Sequence, residues 1–171
     1  MCARILCFTH GDSDVDVLDE QDTLELDDEE VDELLDIIRK TLVGTVVLVL
    51  AIVVVHELLH GLVIVLVGGR PTFGAGRSES GAVAFFYTTA PGHLFTRAQY
   101  VVVALAPLVV LGALLLWWVW AGPWGGWLVI PAAIHLAGCV GDVGLTMLVL
   151  RQPGGTLVED RKIGVTFHDQ A

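Results

Sequence analysis

Apolar residues are concentrated in three long blocks, at residues 41–67, about 98–121 and about 127–150. Each reaches the roughly 20 apolar residues a helix needs to cross a bilayer, so the pattern predicts three transmembrane helices. The first block starts some 40 residues into the chain and is too long for the apolar core of a cleaved signal peptide. Between the second and third blocks lies only Ala121-Gly122-Pro123-Trp124-Gly125-Gly126, an uncharged tight turn. Trp117, Trp118, Trp120, Trp124 and Trp127 gather there, as aromatic residues do where a helical hairpin meets the membrane interface.

The pattern changes between the first and second blocks. Glycines 68, 69, 74, 76 and 81 are followed by the β-prone run Ala82-Val83-Ala84-Phe85-Phe86-Tyr87-Thr88-Thr89 and by Pro91-Gly92. That run is too short to span as a helix and too apolar for a free loop. It reads as a strand or hairpin against the helices, partly in the membrane, or else as an interfacial loop. Ahead of the first block, Val31, Leu34, Leu35 and Ile38 recur at i, i+3, i+4 and i+7, which predicts a short amphipathic helix over 27–40. Acids lead that helix and Arg39-Lys40 close it, as its dipole favours. Residues 11–30 are acidic and read as disordered. The expected fold is an all-α integral membrane protein, with three transmembrane helices and a small β element after the first. It divides into an acidic tail (1–40), a membrane domain (41–150) and a C-terminal tail (151–171) with a short hairpin over 156–167 as one reading.

Composition sharpens this. Of 171 residues 54% are hydrophobic and 17% charged, and mean hydropathy is +0.71. The formal charge of −11 is local: residues 1–38 hold 14 of the 20 acids and one base, and the remainder is near neutral. A nucleic-acid partner is excluded, because it would require a basic surface. Three cysteines cannot build a disulfide framework. Arg39 and Lys40 flank one side of the spans, whereas Arg70, Arg77, Arg97, Arg151, Arg161 and Lys162 flank the other. This asymmetry predicts a multi-pass protein of the cell membrane with its C-terminus cytoplasmic and its N-terminus outside.

In spans so apolar each ionisable residue is informative, since a central charge costs about 2.5–3.5 kcal/mol on insertion scales. His56-Glu57-Leu58-Leu59-His60 in the first block matches H-E-x-x-H. Histidines at i and i+4 share a helix face and can hold one zinc ion, with the glutamate beside them as a base. A third protein ligand is needed if water is to hold the fourth place. Fifteen residues separate Thr41 from His56, and fifteen separate Trp127 from Asp142, about 22 Å of helix in each case. First and third spans of a serpentine run parallel, so Asp142 should lie level with His56 and serve as the third ligand. His135, seven residues earlier, should lie about 10 Å shallower, as a support for the ligands, a substrate contact or a packed core histidine.

Around Asp142, Gly138, Gly141 and Gly144 should let the third span press against the first. Pro107 should kink the second span and free a carbonyl. Cys139 reads as packing, His93 as a loop histidine, and Cys2, Cys7 and His10 as a loose cluster of little weight.

His56-Glu57-Leu58-Leu59-His60-Gly61, Ala106-Pro107-Leu108 and Gly138-x-x-Gly141-Asp142 together resemble the small membrane proteins described as putative zincin peptidases, which are similar to the core of site-2 intramembrane metalloproteases. The resemblance covers roughly residues 41–167. It implies a zinc site of His56, His60 and Asp142, Glu57 as the base, and a membrane-embedded β element. The chain departs from site-2 proteases, which carry an Asn, a Pro and then Asp-Gly: here Gly141 precedes Asp142 and Val143 follows it, Ala137 occupies the expected proline position, and no asparagine lies nearby. The expected function is a membrane-embedded zinc metalloendopeptidase that hydrolyses a peptide bond by zinc-activated water, on a membrane-protein or peptide substrate. A non-catalytic metal-binding or metal-transfer membrane protein, or an inactive structural subunit, are the other readings.

Overall fold

A computed structural model describes residues 27–77, 84–161 and 164–169. Of the acidic stretch 11–30 read as disordered, residues 11–26 lie outside the described residues, as does the Cys2, Cys7, His10 cluster, whereas Asp28, Glu29 and Glu30 form the first turn of a helix, where its dipole favours acids. The chain divides into two units, Met1–Ile38 and Arg39–Ala171, and the site belongs to the second.

The described part is mostly helical. Helix α1 (Asp28–Leu66) opens with Asp27 and Glu30 bonding each other's backbone N–H, at 3.3 and 2.8 Å, a reciprocal cap. It runs on through the predicted boundary at residue 40, so the short amphipathic helix and the first span are one helix. Gly68 ends it in the left-handed region (φ +89°), and Gly69 N–H returns 2.8 Å to the Ile64 carbonyl. The second apolar block folds as α2 (Arg97–Ala106), a π-helical turn over Pro107–Leu111, and α3 (Gly112–Ala121). The third folds as α4 (Gly125–Gly138) and α5 (Val140–Leu150), which meet at Cys139. Asp28–Leu66, Arg97–Ala121 and Gly125–Leu150 are long and apolar enough to cross a membrane.

Between α3 and α4, Trp124 adopts φ 63° and Trp118 donates its indole N–H to the Pro123 carbonyl. A Cβ on Gly125 would stand 2.4 Å from the Val119 carbonyl oxygen, so the turn requires glycine there.

The link after α1 forms an antiparallel hairpin, β1 (Thr72–Arg77) with β2 (Ala84–Thr89), in the register Thr72 to Thr89 and Phe73 to Thr88. Of the expected run, residues 82 and 83 lie outside the described residues. Strand β3 (Leu94–Thr96) precedes α2 and pairs with β4 (Leu157–Asp160), which pairs with β5 (Val165–His168). The C-terminal hairpin read over 156–167 forms as β4 and β5, but its extension by a third strand was not anticipated. A three-residue strand between a Pro-Gly turn and a helix cap leaves too little periodicity to read. The protein is therefore helical with two small sheets rather than all-α with one.

Two apolar clusters hold the second unit together. Ile64, Phe95, Tyr100, Val103, Val149 and Val158 join the end of α1 to the second sheet, α2 and α5. Ile52, Leu111, Leu115 and Ala132 join α1 to the π turn, α3 and α4. On α1 the inward face steps by four residues through buried Ile52, half-buried His56, buried His60 and buried Ile64, so the two histidines fall between the two clusters. Most other α1 side chains, Val47, Leu50, Val54, Leu58 and Leu62 among them, are exposed.

Candidate metal centre

His56 and His60 project from α1 one turn apart, and their Nε2 atoms lie 3.1 Å from each other. Asp142, in the first turn of α5, meets both: Oδ2 is 3.4 Å from His56 Nε2 and Oδ1 is 3.7 Å from His60 Nε2. Two donors each about 2.1 Å from one tetrahedral ion stand about 3.4 Å apart, so these spacings fit a single cation.

The hydrogen bonds agree. His60 Nδ1 lies 2.9 Å from the Val103 carbonyl, which can only accept, so Nδ1 carries the proton and Nε2 offers a lone pair. That carbonyl is available for a sequence reason. In a helix Val103 would accept from the residue four positions on, which is Pro107, and proline has no N–H. Asp142 Oδ2 is buried without a hydrogen-bond partner. A neutral His56 can donate from Nε2 to one neighbour only, so either His60 Nε2 or the buried Asp142 Oδ2 is left without a partner. A cation among the three acceptors would satisfy all of them, so the residues present fit a zinc ion.

Glu57 is held beside this cluster. Thr88 on β2 donates its hydroxyl to Glu57 Oε2 at 2.7 Å and lies 3.1 Å from the Glu57 carbonyl. A polar cavity of about 180 Å³ is shared by His56, Glu57, His60, Thr88, Asp142 and Asp160. Two apolar cavities flank Glu57, one of about 210 Å³ between α1 and α4 and one of about 240 Å³ under the first hairpin. At the rim of the polar cavity, burial pushes the Asp160 carboxyl up to about 6. The neighbouring Glu159 is held below the usual carboxylate range by Arg161 at 2.8 Å and then by His168 at 3.0 Å.

The structure thus brings His56, His60, Asp142 and Glu57 together. His135 is nearer than depth along the helix indicates: its ring centroid lies 5.4 Å from that of His56, because axial rise omits the reach of two imidazoles toward each other. Cys139, read as packing, lies between those two rings, with Sγ 4.0 Å from His56 Nδ1 and 3.8 Å from His135 Nε2. His93 packs edge-on against Phe95 and belongs to no metal-type cluster among the described residues. Thr88 was not legible, since one hydroxyl in a β-prone run carries no motif. The glycine stripe does not act as expected, because a Cβ on Gly138, Gly141 or Gly144 would meet nothing within 4 Å. Close approach occurs instead at Gly61, where a Cβ would meet the Phe73 ring at 2.5 Å.

Helices of spanning length thus surround a cluster of two histidines and an aspartate that could hold a metal ion, with a glutamate alongside. Residues 49–157 match the family described as putative zincin peptidase, and the chain belongs to that family. No curated protein and no solved structure matches the chain.

Proposed function

We propose that this protein is a membrane-embedded zinc endopeptidase in which His56, His60 and Asp142 hold the metal and Glu57 is the general base. The observation that carries it is the convergence of His56 Nε2, His60 Nε2 and an otherwise orphaned Asp142 carboxylate beside a hydrogen-bonded Glu57. Zinc, when bound, supplies a Lewis acid that polarises the scissile carbonyl and acidifies water.

The chain's own groups account for the rest. Glu57 takes a proton from the attacking water and delivers it to the leaving amine nitrogen as the C–N bond breaks and the new C–O bond forms. The Thr88 hydroxyl fixes one carboxylate oxygen, leaving the other to reach the water. A scissile peptide must be extended, and an edge of the first hairpin offers backbone groups for strand addition. The apolar cavities on either side of Glu57 suit an apolar membrane-protein or peptide segment. The proposed setting is the cell membrane, with the C-terminus cytoplasmic.

Glu57→Gln tests this reading. Glutamine keeps the shape and a hydrogen bond but cannot accept the proton. Cleavage of co-expressed membrane proteins should fall by about 10²–10⁴-fold while folding and zinc content persist. A zinc-loaded variant that cleaves at the parental rate excludes the mechanism. Absence of cleavage by either form favours a metal-binding or metal-transfer protein.

A further inference from the structure

We propose that His56, His135 and Cys139 form a second metal site, for a thiophilic d10 cation such as copper(I) or zinc(II), that shares the His56 ring with the first centre. The two nitrogens of His56 serve different neighbours. Nε2 faces His60 and Asp142, whereas Nδ1 lies 4.0 Å from Cys139 Sγ. Sγ in turn lies 3.8 Å from His135 Nε2, and the donor atoms of this trio all fall within 4.8 Å of one another. With metal–sulfur and metal–nitrogen bonds of about 2.3 and 2.1 Å, sulfur and nitrogen stand about 3.6 Å apart on a tetrahedral ion and about 3.8 Å on a trigonal one. The two sulfur–nitrogen spacings need a few tenths of an ångström of contraction at most, and the two nitrogens, which lie within 4.8 Å, close by about 1 Å to reach the roughly 3.6 Å of a trigonal ion.

Local structure supplies the arrangement. His135 and Cys139 are four residues apart, on one face where α4 gives way to α5, and both are buried, at 5% and 1% exposure. Hydrogen bonds can link the trio, the thiol donating to one ring nitrogen while its sulfur accepts from the other; what marks it as a metal site is the convergence of one sulfur and two nitrogen donors within 4.8 Å. The first centre draws its donors from His60, Asp142 and the opposite side of His56, so it does not call for Cys139. Thiolate and imidazole donors select copper(I) and zinc over magnesium or calcium. A neutral imidazole offers one lone pair, so an ion held at His56 Nδ1 competes with one held at Nε2, and thiophilic metal in excess becomes an inhibitor.

Cobalt(II) titration of the purified full-length protein in detergent, followed by absorbance, tests the site. The first centre offers only nitrogen and oxygen, so a thiolate-to-cobalt charge-transfer band in the near ultraviolet reports the second. The band should appear in the parent and in Cys2→Ser/Cys7→Ser, and be lost in Cys139→Ser and in His135→Ala. It supports the site at whichever equivalent of cobalt it appears. No band in the parent, or a band that survives in Cys139→Ser and so arises from Cys2 or Cys7, overturns the proposal.

Discussion

Thr88 and Thr89 are neighbours on β2, yet their hydroxyls serve opposite sides, one reaching Glu57 Oε2 and the other lying 3.2 Å from the Asp160 carbonyl. Strand alternation dictates that division. A hydrogen bond to a charged group contributes about 1.5–3 kcal/mol, so isosteric Thr88→Val should lower kcat about 10- to 100-fold while KM and zinc content hold. An unchanged kcat would show that Thr88 does not position the base. Asp160 makes a pH prediction. Its carboxyl titrates near 6 in the folded chain against an ordinary 3.8, so the folded state retains the proton over that window. The stabilisation is complete below the unfolded value and is lost as pH rises through about 6, a change of about 3 kcal/mol at most. Asp160→Asn should therefore melt above the parent at pH 7 and with it at pH 4, as thermal unfolding at both values would show. Equal shifts at the two pH values would contradict the assignment. Neither residue stands out in the sequence, since each acts through a partner that only the fold supplies.

Pro107 shows an element-scale effect that sequence reading reached halfway. A proline inside a span must leave a carbonyl without its helical partner, and counting back four residues gives Val103. What accepts the vacancy depends on packing, and here His60 fills it. Pro107→Ala returns an N–H that competes for Val103. Zinc affinity should drop about 10- to 100-fold, as when a ligand's supporting hydrogen bond is removed, although alanine favours the helix itself. A chelator competition assay reads the first effect and metal-free melting the second; unchanged affinity would separate the proline from the site. The shared face of His56 and His60 was legible because its spacing is set by the helix, whereas Ile52 and Ile64, which continue that face, did not stand out in so apolar a span. The glycines of α5 misled because small residues permit close approach without requiring it, and these face open space.

For the molecule as a whole, three helices of spanning length follow from block hydropathy, and the H-E-x-x-H motif follows from its cost in such a span. Of the second sheet only the C-terminal hairpin was legible; its pairing with β3 was not, because it joins segments that begin 63 residues apart. Equal depth along α1 and the third span pointed to Asp142, and the two elements do present His56 and Asp142 to each other. Depth could not reveal that His135 and Cys139 stand behind His56, since axial rise says nothing of side-chain reach. The central claim is that α1 and α5 jointly hold one metal ion. It is tested most directly by zinc analysis of the purified chain with Cys2, Cys7 and Cys139 replaced by serine, which leaves only nitrogen and oxygen donors. One zinc per chain should survive dialysis in that protein and in its Glu57→Gln form, and be lost in its Asp142→Ala form. Full zinc retention in Asp142→Ala would contradict the account.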